Sequence, residues 1–371
     1  MNFTCIISEF NPITQGHQKI ISQAREKTCN PIMCIMSGNF VQRGEPAIFD
    51  KYTRAKLAIK AGADIVIELP TIYALSSATD FAYGAIKTIS TIKNVEYLVF
   101  GSECGDLQAL NSAMLKIKQN SNSKTIKQLL KQGNSYSVAL NNALNLNLKS
   151  NDILGVEYLK ALDKLKSKIT PITIKREDNF NNSKTNENLA SASAIRQLLQ
   201  NNAFEKAKLH SPLLTNINLD SQTNFSEYVN LLDFKLKTEN HSLSKINGVK
   251  DGIQNFIIDN FDKNSPSLKT KRYPETKINR ILANFILDIN SALVKKAKRK
   301  NSTYIKVLAI NKEKKELLKY LPKNKTIISK KDECKLNKIQ KQVYQKDLLA
   351  SKVFSCINKY YTGTEDYTHK L

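Results

Sequence analysis

The 371-residue sequence predicts an α/β fold with a doubly wound, parallel sheet in its first part and a mainly helical, basic region after it. Three observations predict this fold. Short apolar runs alternate with amphipathic stretches along the first half, glycine or proline often follows an apolar run, and the excess of positive charge lies in the second half. Strands that alternate with helices are typical of a parallel sheet. We expect one domain over residues 1–200 and a second over residues 201–371.

The first elements follow the chain in order. The run FTCIIS, at 3–8, predicts a strand, and an amphipathic helix follows at about 17–28. PIMCIMS, at 31–37, has the length and flanks of a buried strand. The polar loop GNFVQRGEPAIF then leads to a helix that starts near Asp50 and ends at Gly62, because glycine commonly ends a helix.

The same alternation continues. DIVIELP at 64–70 predicts a buried strand, the stretch 72–90 a helix, and VEYLVFGSE a strand that stops at Gly101. A helix over DILGVEYLKALDKL and a strand over ITPITIK, which Arg176 ends, complete the first half. Because ligands of such sheets bind beyond the carboxyl ends of the strands, the loops there are the expected site.

The turn after the first strand has the features of a phosphate site. Pro12 turns the chain, Gly16 permits close approach of a ligand, and His17 opens a helix whose free N–H groups favour an anion. An imidazole here can donate to a phosphate oxygen or, when protonated, stabilise charge as an α-phosphate is attacked. The alternative is a purely structural strand-to-helix turn.

The second half favours a polyanionic partner such as RNA. Residues 1–170 carry 20 Lys and Arg against 13 Asp and Glu, whereas the remainder carries 37 against 20. A/T-rich coding sequence could supply lysine, but it does not readily explain the difference between the halves. The segment EDNFNNSKTNEN, at 177–188, predicts a flexible loop or one that orders on binding.

From about residue 200 the pattern is mainly helical, with a strand-like YIKVLAI. The predicted RNA contacts are Lys269, Lys271, Arg272, Lys277 and Arg280. Together with Tyr273 they could form a patch that binds the backbone and stacks on bases. A solvated amphipathic helix is the alternative.

Several classes of protein are disfavoured. No apolar run approaches the roughly 18 residues of a membrane span, and the first residues do not resemble a cleaved signal, so we expect a cytoplasmic protein without a membrane role. Six cysteines without a CxxC pair and four histidines give no metal-ligand spacing, so no metal site built from side chains is expected. Neither a prosthetic group nor an obligate protein partner is indicated.

Two motifs resemble the nucleotidyltransferase superfamily. NPITQGH looks like its (T/H)xGH signature, with Thr14, Gly16 and His17 at the defining positions. ASASAIR, at 190–196, resembles its second phosphate-binding signature, ISSTxIR, with Ser191, Ser193 and Arg196 at the hydroxyl and arginine positions. Ser193 is predicted to cap a helix that has Arg196 in its first turn, so hydroxyl, backbone N–H and guanidinium could converge on one phosphate.

A narrower resemblance extends over both halves. It is carried by SEFNPITQGH, MSGNFVQRGEPAIFDKYTRAKLA, DIVIELP, FGSE, NDILGVEYLKAL, LASASAIR and LKTKRYPETKINRIL. These look like the bacterial tRNA(Met) cytidine acetate ligase family. The resemblance implies a Rossmann-like nucleotidyltransferase domain that activates acetate with ATP to acetyl-adenylate. The acetyl group then passes to N4 of the wobble cytidine of elongator tRNA(Met), which forms N4-acetylcytidine. Family members usually carry histidine where Thr14 and Ile20 stand.

The resemblance also implies the residues that act. His17, Thr14, Arg196 and Ser193 would be catalytic. ATP, as a substrate with Mg²⁺, would contact Ile7, Ser8, Glu9, Phe10, Asn11, Pro12, Ile13, Thr14, Gln15, Gly16, His17, Gln18, Lys19, Ile20, Gly101, Asn151 and Arg176. Asn151 could instead cap its helix, and Arg176 could be a solvated surface residue. The chemistry needs positioning and electrostatic stabilisation rather than a cysteine or serine nucleophile.

The loop after the second strand is a further candidate for substrate contacts. Arg43 could pair with acetate or a phosphate, and Glu45 could accept a proton or a hydrogen bond from the cytidine amine. Gln42 belongs to the same loop, and an ion pair between Arg43 and Glu45 is the structural alternative.

Two rival functions remain at this point. PITQGH also looks like the pantetheine-phosphate adenylyltransferase signature, so adenylyl transfer to a small phosphorylated acceptor is conceivable, although it leaves the basic second half unexplained. A non-catalytic RNA-binding paralogue is supported only by Thr14 and Ile20.

Overall fold

A mostly parallel seven-stranded sheet forms the centre of the molecule, and its order is β7-β6-β1-β2-β5-β8-β9. The computed structural model describes residues 1–120, 123–134, 136–176, 190–369 and 371. The strands are β1 Phe3–Ser8, β2 Ile32–Ser37, β3 Phe40–Val41, β4 Glu45–Pro46, β5 Ile65–Leu69, β6 Val95–Ser102, β7 Thr170–Lys175, β8 Ile305–Ile310 and β9 Thr326–Ile327. Strands β3 and β4 form a separate antiparallel pair. The predicted α/β class is confirmed.

Helices surround this sheet. They are α1 Gln15–Thr28, α2 Lys51–Lys60, α3 Thr71–Ala74, α4 Ala78–Ile89, α5 Leu107–Gln119, α6 Lys124–Lys131, α7 Tyr136–Leu144, α8 Ser150–Lys164, α9 Ala192–Gln200, α10 Phe204–His210, α11 Phe225–Glu239, α12 Ile253–Asn260, α13 Glu275–Ile286, α14 Ser291–Arg299, α15 Lys338–Ser355 and α16 Glu365–Thr368. Short 3₁₀ helices cover Pro212–Asn216, Leu219–Ser221, Asn240–Lys245, Lys312–Tyr320 and Lys330–Lys335. None of the described helices combines the length and apolar character needed to cross a bilayer.

The central strands are apolar because both of their faces are covered. Strand β1 pairs in parallel with β2 and β6, and β2 pairs in parallel with β5. Every residue of β2 and of β5 is buried. A parallel strand that is buried on both faces has a continuous apolar sequence rather than an alternating one. The continuous apolar runs CIIS, IMCIM and IVIEL are therefore suited to the central strands β1, β2 and β5.

The sheet differs from the prediction in one respect, since it is not wholly parallel. Strand β8, from the second half of the chain, pairs with β5 in the antiparallel direction, with Ile65 opposite Ile310, and β9 continues the sheet. All six residues of β8 are buried. An apolar strand left at a sheet edge is prone to pair with another chain, and β8 covers that edge of β5. The division into domains at residue 200 stays a prediction.

The single helix predicted over residues 72–90 is two helices in the structure. The stretch 72–90 contains α3 and α4, because Ser77 interrupts it and accepts a hydrogen bond from the backbone N–H of Asp80, at 3.4 Å, as the N-cap of α4. Serine competes for backbone hydrogen bonds and therefore favours a helix start. The asparagine-rich segment at 177–188, for which a loop is predicted, lies outside the described residues.

Buried charges join the two halves. Lys51, at the start of α2, lies 2.9 Å from Glu68 Oε2 of β5 and 2.7 Å from Asp366 Oδ1 of α16. Lys306 of β8 is 3.3 Å from the same Asp366 oxygen, and the Tyr52 hydroxyl donates to it at 3.1 Å. The two lysines hold the pKa of Asp366 below its usual range despite burial. Such charges are tolerated inside a protein only as a mutually paired set.

Candidate active site

A cleft of about 390 Å³ opens where strands β1 and β6 end. Its described lining consists of Ile6, Ile7, Ser8, Glu9, Phe10, Asn11, His17, Ile20, Gln42, Arg43, Ala78, Phe81, Phe100, Gly101, Ser150, Asn151, Leu154, Tyr158, Arg176, Ala192, Ser193 and Arg196. The carboxyl ends of parallel strands are where such sheets bind ligands. The structure therefore brings residues that are far apart in the sequence to one place.

The start of α1 is built by a reciprocal pair, Thr14 and His17. The Thr14 hydroxyl accepts from the backbone N–H of His17 at 3.3 Å, and the backbone N–H of Thr14 donates to His17 Nδ1 at 3.0 Å. This arrangement is a capping box in which histidine takes the place usual for Glu or Gln. Because Nδ1 accepts, the proton of the neutral imidazole is assigned to Nε2, which leaves that nitrogen as a donor.

A protonated imidazole was one of the expectations for His17, and the lowered pKa of its ring indicates a neutral one. Burial, and then the nearby Arg176 guanidinium, lower the pKa of His17 to about 4. Near pH 7 the imidazole of the ligand-free protein is thus neutral, so the alternative of a protonated imidazole does not describe this state. The ring also packs edge-on against Phe10, with centroids 5.1 Å apart. In this state His17 therefore offers its Nε2–H as a neutral donor.

Arg196 of α9 contacts the loop between β1 and α1, and Ser193 contacts Arg196. Arg196 donates from Nη1 to the carbonyl of Asn11 at 2.7 Å and from Nη2 to Ser193 Oγ at 3.3 Å. The predicted cap of α9 is wrong by two positions, because Ser191 is the N-cap and accepts from the backbone N–H of Ala194 at 3.1 Å. Ser193 lies inside the first turn, so its hydroxyl faces the cleft without a capping role.

Asn11 supplies a free donor. Its Oδ1 accepts from the backbone N–H of Ile48 at 2.8 Å, which fixes the side chain. Its Nδ2 is buried and has no hydrogen-bond partner among the described residues. A buried amide N–H without a partner is costly unless a ligand supplies an acceptor. Asn11 lines the cleft and is thus a natural contact for a phosphate oxygen.

Gly101, Arg176 and Ile20 form another wall. A Cβ atom at Gly101 would lie 3.0 Å from Arg176 Cγ and 3.1 Å from Ile20 Cδ1, so this position has almost no room for a side chain. Arg176 lines the cleft rather than lying on an open surface. Ile20 places an apolar side chain in the lining of the cleft.

Asn151 is not the cap of its helix. Helix α8 begins at Ser150, with Lys149 at the N-cap position. The backbone N–H and Nδ2 of Asn151 both donate to Glu103 Oε1, at 3.2 Å and 2.7 Å, and the N–H of Asp152 donates to Glu103 Oε2 at 2.9 Å. Sequence reasoning missed Glu103, although a carboxylate directly after a strand, opposite a helix start, is a recognisable signal.

A hydrogen bond joins the loop between β2 and α2 to the loop between β1 and α1. Glu9 Oε1 accepts from the backbone N–H of Gln42 at 2.6 Å. Burial raises the pKa of Glu9, although this hydrogen bond and Arg43 oppose the shift. Glu45 Oε1 lies 3.4 Å from Arg196 Nη2, so in the described residues Glu45 pairs with Arg196 rather than with Arg43. Arg43 is left to line the cleft.

Sequence reasoning also missed Arg54 of α2, which is fully buried. Its guanidinium donates to the carbonyls of Glu9 at 2.7 Å, Ser37 at 3.2 Å and Phe49 at 2.9 Å, and also to that of Gly38. Glu9 follows β1, Ser37 and Gly38 are at the end of β2, and Phe49 precedes α2, so Arg54 holds the two site loops together. An arginine among apolar positions of an amphipathic helix was the available signal.

The residues of the predicted RNA patch differ in exposure, and their contact with RNA stays a prediction. Lys269, Lys271 and Arg272 are exposed. Tyr273 is only 4% exposed, and its hydroxyl donates to the carbonyl of Lys250 at 2.8 Å, so the expected base stacking on this ring is wrong. The Lys277 ammonium covers its face, 3.8 Å from the centroid.

Arg280 is turned inward, and its Nη1 donates to the carbonyl of Gln42 at 3.2 Å. It thus connects α13 to the loop that carries Arg43 and Glu45.

Comparison with known proteins identifies the family. Residues 1–369 match the family described as HIGH Nucleotidyl Transferase. A tRNA(Met) cytidine acetate ligase of Clostridium novyi is 36% identical over an alignment of 397 positions, gaps included, which covers 99% of this chain and 98% of that protein. The chain belongs to the tRNA(Met) cytidine acetate ligase family. A relative of the same name from Thermoanaerobacter sp. is also 36% identical, over 97% of this chain and 96% of its own.

Solved structures of the family agree. Thermotoga maritima TmcAL bound with alpha-thio ATP superposes with a TM-score of 0.82 at 26% identity, over 99% of this chain and 98% of that one. The apo form of the same protein gives a TM-score of 0.84, also at 26% identity, over 100% and 99% of the two chains. The resemblance found in the motifs is confirmed over the full fold, and the adenylyltransferase alternative is not supported.

Proposed function

We propose that this chain activates acetate with ATP and transfers the acetyl group to N4 of the wobble cytidine of elongator tRNA(Met). The observation that carries the proposal is the cleft in which the start of α1, the start of α9 and three arginines surround one volume at the ends of β1 and β6. The relatives are named for this reaction, and one neighbouring structure holds an ATP analogue. The site residues assigned below are part of the proposal.

The first step forms acetyl-adenylate. An acetate oxygen attacks the α-phosphorus of ATP, a new P–O bond forms, and the bond to the bridging oxygen breaks so that pyrophosphate leaves. Negative charge on the leaving group is the quantity that the protein must stabilise. His17 Nε2–H, Asn11 Nδ2 and the Arg196 guanidinium are placed as donors for it, and Arg43 and Arg176 add positive charge along the cleft.

Mg²⁺ would accompany the triphosphate. Glu9 is the one carboxylate among the described residues that line the cleft, so few protein oxygens are available. A magnesium ion in such a site is held mainly by phosphate oxygens and water, which is its usual preference in nucleotide sites. When bound, the ion would neutralise charge on the phosphates.

The second step is acyl transfer to RNA. The cytidine N4 attacks the acetyl carbonyl carbon, AMP leaves as the C–O bond breaks, and the amine loses a proton. Lys269, Lys271, Arg272 and Lys277, together with the inward Arg280, are proposed to bind phosphates of the tRNA. An acceptor of this class places the reaction in the cytoplasm.

Two measurements test the proposal. Exchange of labelled pyrophosphate into ATP should require acetate, and mass spectrometry should find labelled N4-acetylcytidine in tRNA(Met) incubated with ATP and isotopically labelled acetate. Both signals should fall by at least 100-fold in His17→Ala. Exchange that proceeds without acetate but requires a phosphorylated small molecule would favour an adenylyltransferase, and RNA binding without exchange would favour a non-catalytic paralogue.

A further inference from the structure

A second, smaller cleft lies behind the loop that carries Glu45. Its volume is about 190 Å³, and it is lined by Gly44, Glu45, Phe225, Tyr228, Val229, Leu232, Phe261, Ser265, Pro266, Ser267, Glu275, Asn279 and Leu282. We call it the Tyr228 cleft. It is smaller than the roughly 300 Å³ at which pockets for drug-sized ligands begin, so it suits a single ring rather than a whole nucleotide.

The Tyr228 cleft neighbours the 390 Å³ cleft at the ends of β1 and β6, which we call the ATP cleft. A narrow crevice of about 20 Å³ is lined by Glu45, Arg196 and Phe225, among others, and it shares Glu45 and Phe225 with the Tyr228 cleft. Arg196 also lines the ATP cleft and lies 3.4 Å from Glu45 Oε1. The ion pair of Glu45 with Arg196 therefore stands between the two clefts.

The Tyr228 hydroxyl has no hydrogen-bond partner in this cleft. Tyr228 is 3% exposed, and its hydroxyl makes no hydrogen bond within the described part of the chain. Glu45 Oε1 is paired with Arg196 at 3.4 Å but accepts no hydrogen bond there. A buried hydroxyl without a partner is costly, so its presence beside a carboxylate in one cleft indicates a polar ligand. Burial and the Glu45 charge raise the pKa of Tyr228, which keeps the hydroxyl protonated and able to donate.

The aromatic walls suit a flat ring. Phe225 is 42% exposed, and its centroid lies 5.7 Å from that of Tyr228, which is in turn 6.0 Å from Phe40. Phe225 thus has a face available for stacking, while Tyr228 is held between two rings. Stacking of a base on an aromatic side chain is a common way to hold an unstacked nucleotide.

Gly44 fixes the carboxylate at the edge of this cleft. Its φ of +87° is left-handed, and an added Cβ would collide with the backbone of Asn279 and Arg280. The loop therefore packs directly on α13, with Glu45 as the next residue. The contact restrains the backbone at Glu45, and the ion pair with Arg196 orients its carboxylate.

We propose that the Tyr228 cleft is the binding site for the acceptor cytosine base, with the exocyclic N4 amine donating to Glu45 and the ring stacking on Phe225. This inference rests on the proposed function and specifies how its RNA substrate is recognised. The Tyr228 hydroxyl donates to a ring acceptor of the base. Carboxylates pair with the cytosine N4 donor and not with uracil, whose O4 is an acceptor, so the site distinguishes the two pyrimidines.

The first test separates RNA recognition from acetate activation. Unmodified tRNA(Met) transcript is the substrate, and the quantity compared is kcat/KM for acetyl transfer divided by the rate of acetate-dependent pyrophosphate exchange. We expect this ratio to fall about tenfold in Tyr228→Phe and in Phe225→Leu. Matched controls are Tyr360→Phe and Phe234→Leu, because Tyr360 is 50% exposed and Phe234, on the same helix as Phe225, is 66% exposed. Both controls should keep the wild-type ratio.

The second test measures base selectivity. A transcript with uridine at the acceptor position competes with the normal transcript, and its inhibition constant is compared with the KM of the normal one. Wild-type protein should prefer cytidine by at least tenfold, and Glu45→Gln should reduce that preference because an amide can donate to uracil O4.

The outcomes are distinct. An unchanged ratio in folded Tyr228→Phe and Phe225→Leu, with melting temperatures near wild type, would overturn the cytosine site, as would equal losses of transfer and exchange or an unchanged base preference in Glu45→Gln. Failure of the proposed function would be visible earlier, as a wild-type protein without acetate-dependent exchange.

Discussion

At the scale of single residues, His17 combines a structural and a chemical role. Its Nδ1 accepts the backbone N–H of Thr14 and completes the cap of α1, while Nε2 remains as a donor in the cleft. The cap therefore orients the ring without using the nitrogen that the chemistry needs. Thr14 supplies the hydroxyl that this cap requires as an acceptor.

The half-buried His17 should make stability depend on pH. Its folded pKa of about 4 lies below the ordinary 6.5, so between these values the unfolded chain binds a proton that the folded chain does not. The protein should thus lose on the order of 3 kcal/mol of unfolding free energy as the pH falls from about 6.5 to about 4. His17→Asn keeps an acceptor for Thr14 but cannot titrate. Urea midpoints of the two proteins, measured at several pH values, should converge as the pH falls; parallel curves would contradict the lowered pKa.

At the scale of elements, the start of α9 separates a capping serine from a serine in the cleft. Ser191→Ala removes the N-cap and should lower the free energy of unfolding by about 1 kcal/mol, a typical cost for such a cap. Ser193→Ala removes no cap and should leave stability within about 0.5 kcal/mol, but it should raise KM for ATP several-fold because a hydroxyl is lost from the cleft.

Thermal melting and pyrophosphate exchange measure the two effects separately. If Ser193→Ala destabilised the protein while Ser191→Ala altered only KM, the assignment of the two serines would have to be reversed.

Much of the element pattern could be predicted from the sequence. Strands β1, β2, β5 and β6 are apolar runs ended by clear turn residues, and α1 starts at its motif, so local physics decides them. The antiparallel pairing of β8 could not be predicted, because it depends on which sheet edge is left uncovered after the first half has folded. The cap of α9 was misplaced because two serines, Ser191 and Ser193, alternate with alanines and offer similar local choices.

Some residues of the site could likewise be predicted from the sequence, and others could not. His17 and Arg196 lie in motifs with a recognisable spacing, whereas Arg54 and Glu103 act through backbone groups that are distant in the sequence. Tyr273 is an aromatic residue of the kind that stacks on bases, but its side chain is buried and its hydroxyl donates to the carbonyl of Lys250. Tertiary contacts, which a single sequence does not display, decided these three.

At the scale of the whole molecule, the buried cluster around Lys51 should act as a unit. Lys51→Met leaves Glu68 and Asp366 buried close together without their shared cation, so we expect a loss of about 3–5 kcal/mol in unfolding free energy. The double variant Lys51→Met with Asp366→Asn should lose less than the sum of the single variants. Lys118→Met is the matched control, because the bridge from Lys118 to Asp163 is exposed and should contribute less than about 1 kcal/mol. Additive losses would show that the cluster is not coupled.

The surface charge should appear in the salt dependence of RNA binding. Each lysine or arginine that neutralises a phosphate contributes about one unit to the slope of log K against log salt concentration. Lys269→Ala and Arg272→Ala should each lower the slope of tRNA binding by about one, measured by filter binding over a range of KCl. Lys124, exposed on α6 in the less basic half, is the control and should leave the slope unchanged when replaced by alanine.

The ion pair of Lys51 with Asp366 also has a meaning for synthesis of the chain. The two partners are separated by 315 positions, and Lys51 begins the helix from which Arg54 holds both site loops. A nascent polypeptide emerges from the ribosome with Lys51 and Glu68 already made and Asp366, the second countercharge, still missing. The buried charge cluster beneath the site is therefore complete only after translation has reached α16, and a product that ends before α16 should be less stable than the full chain.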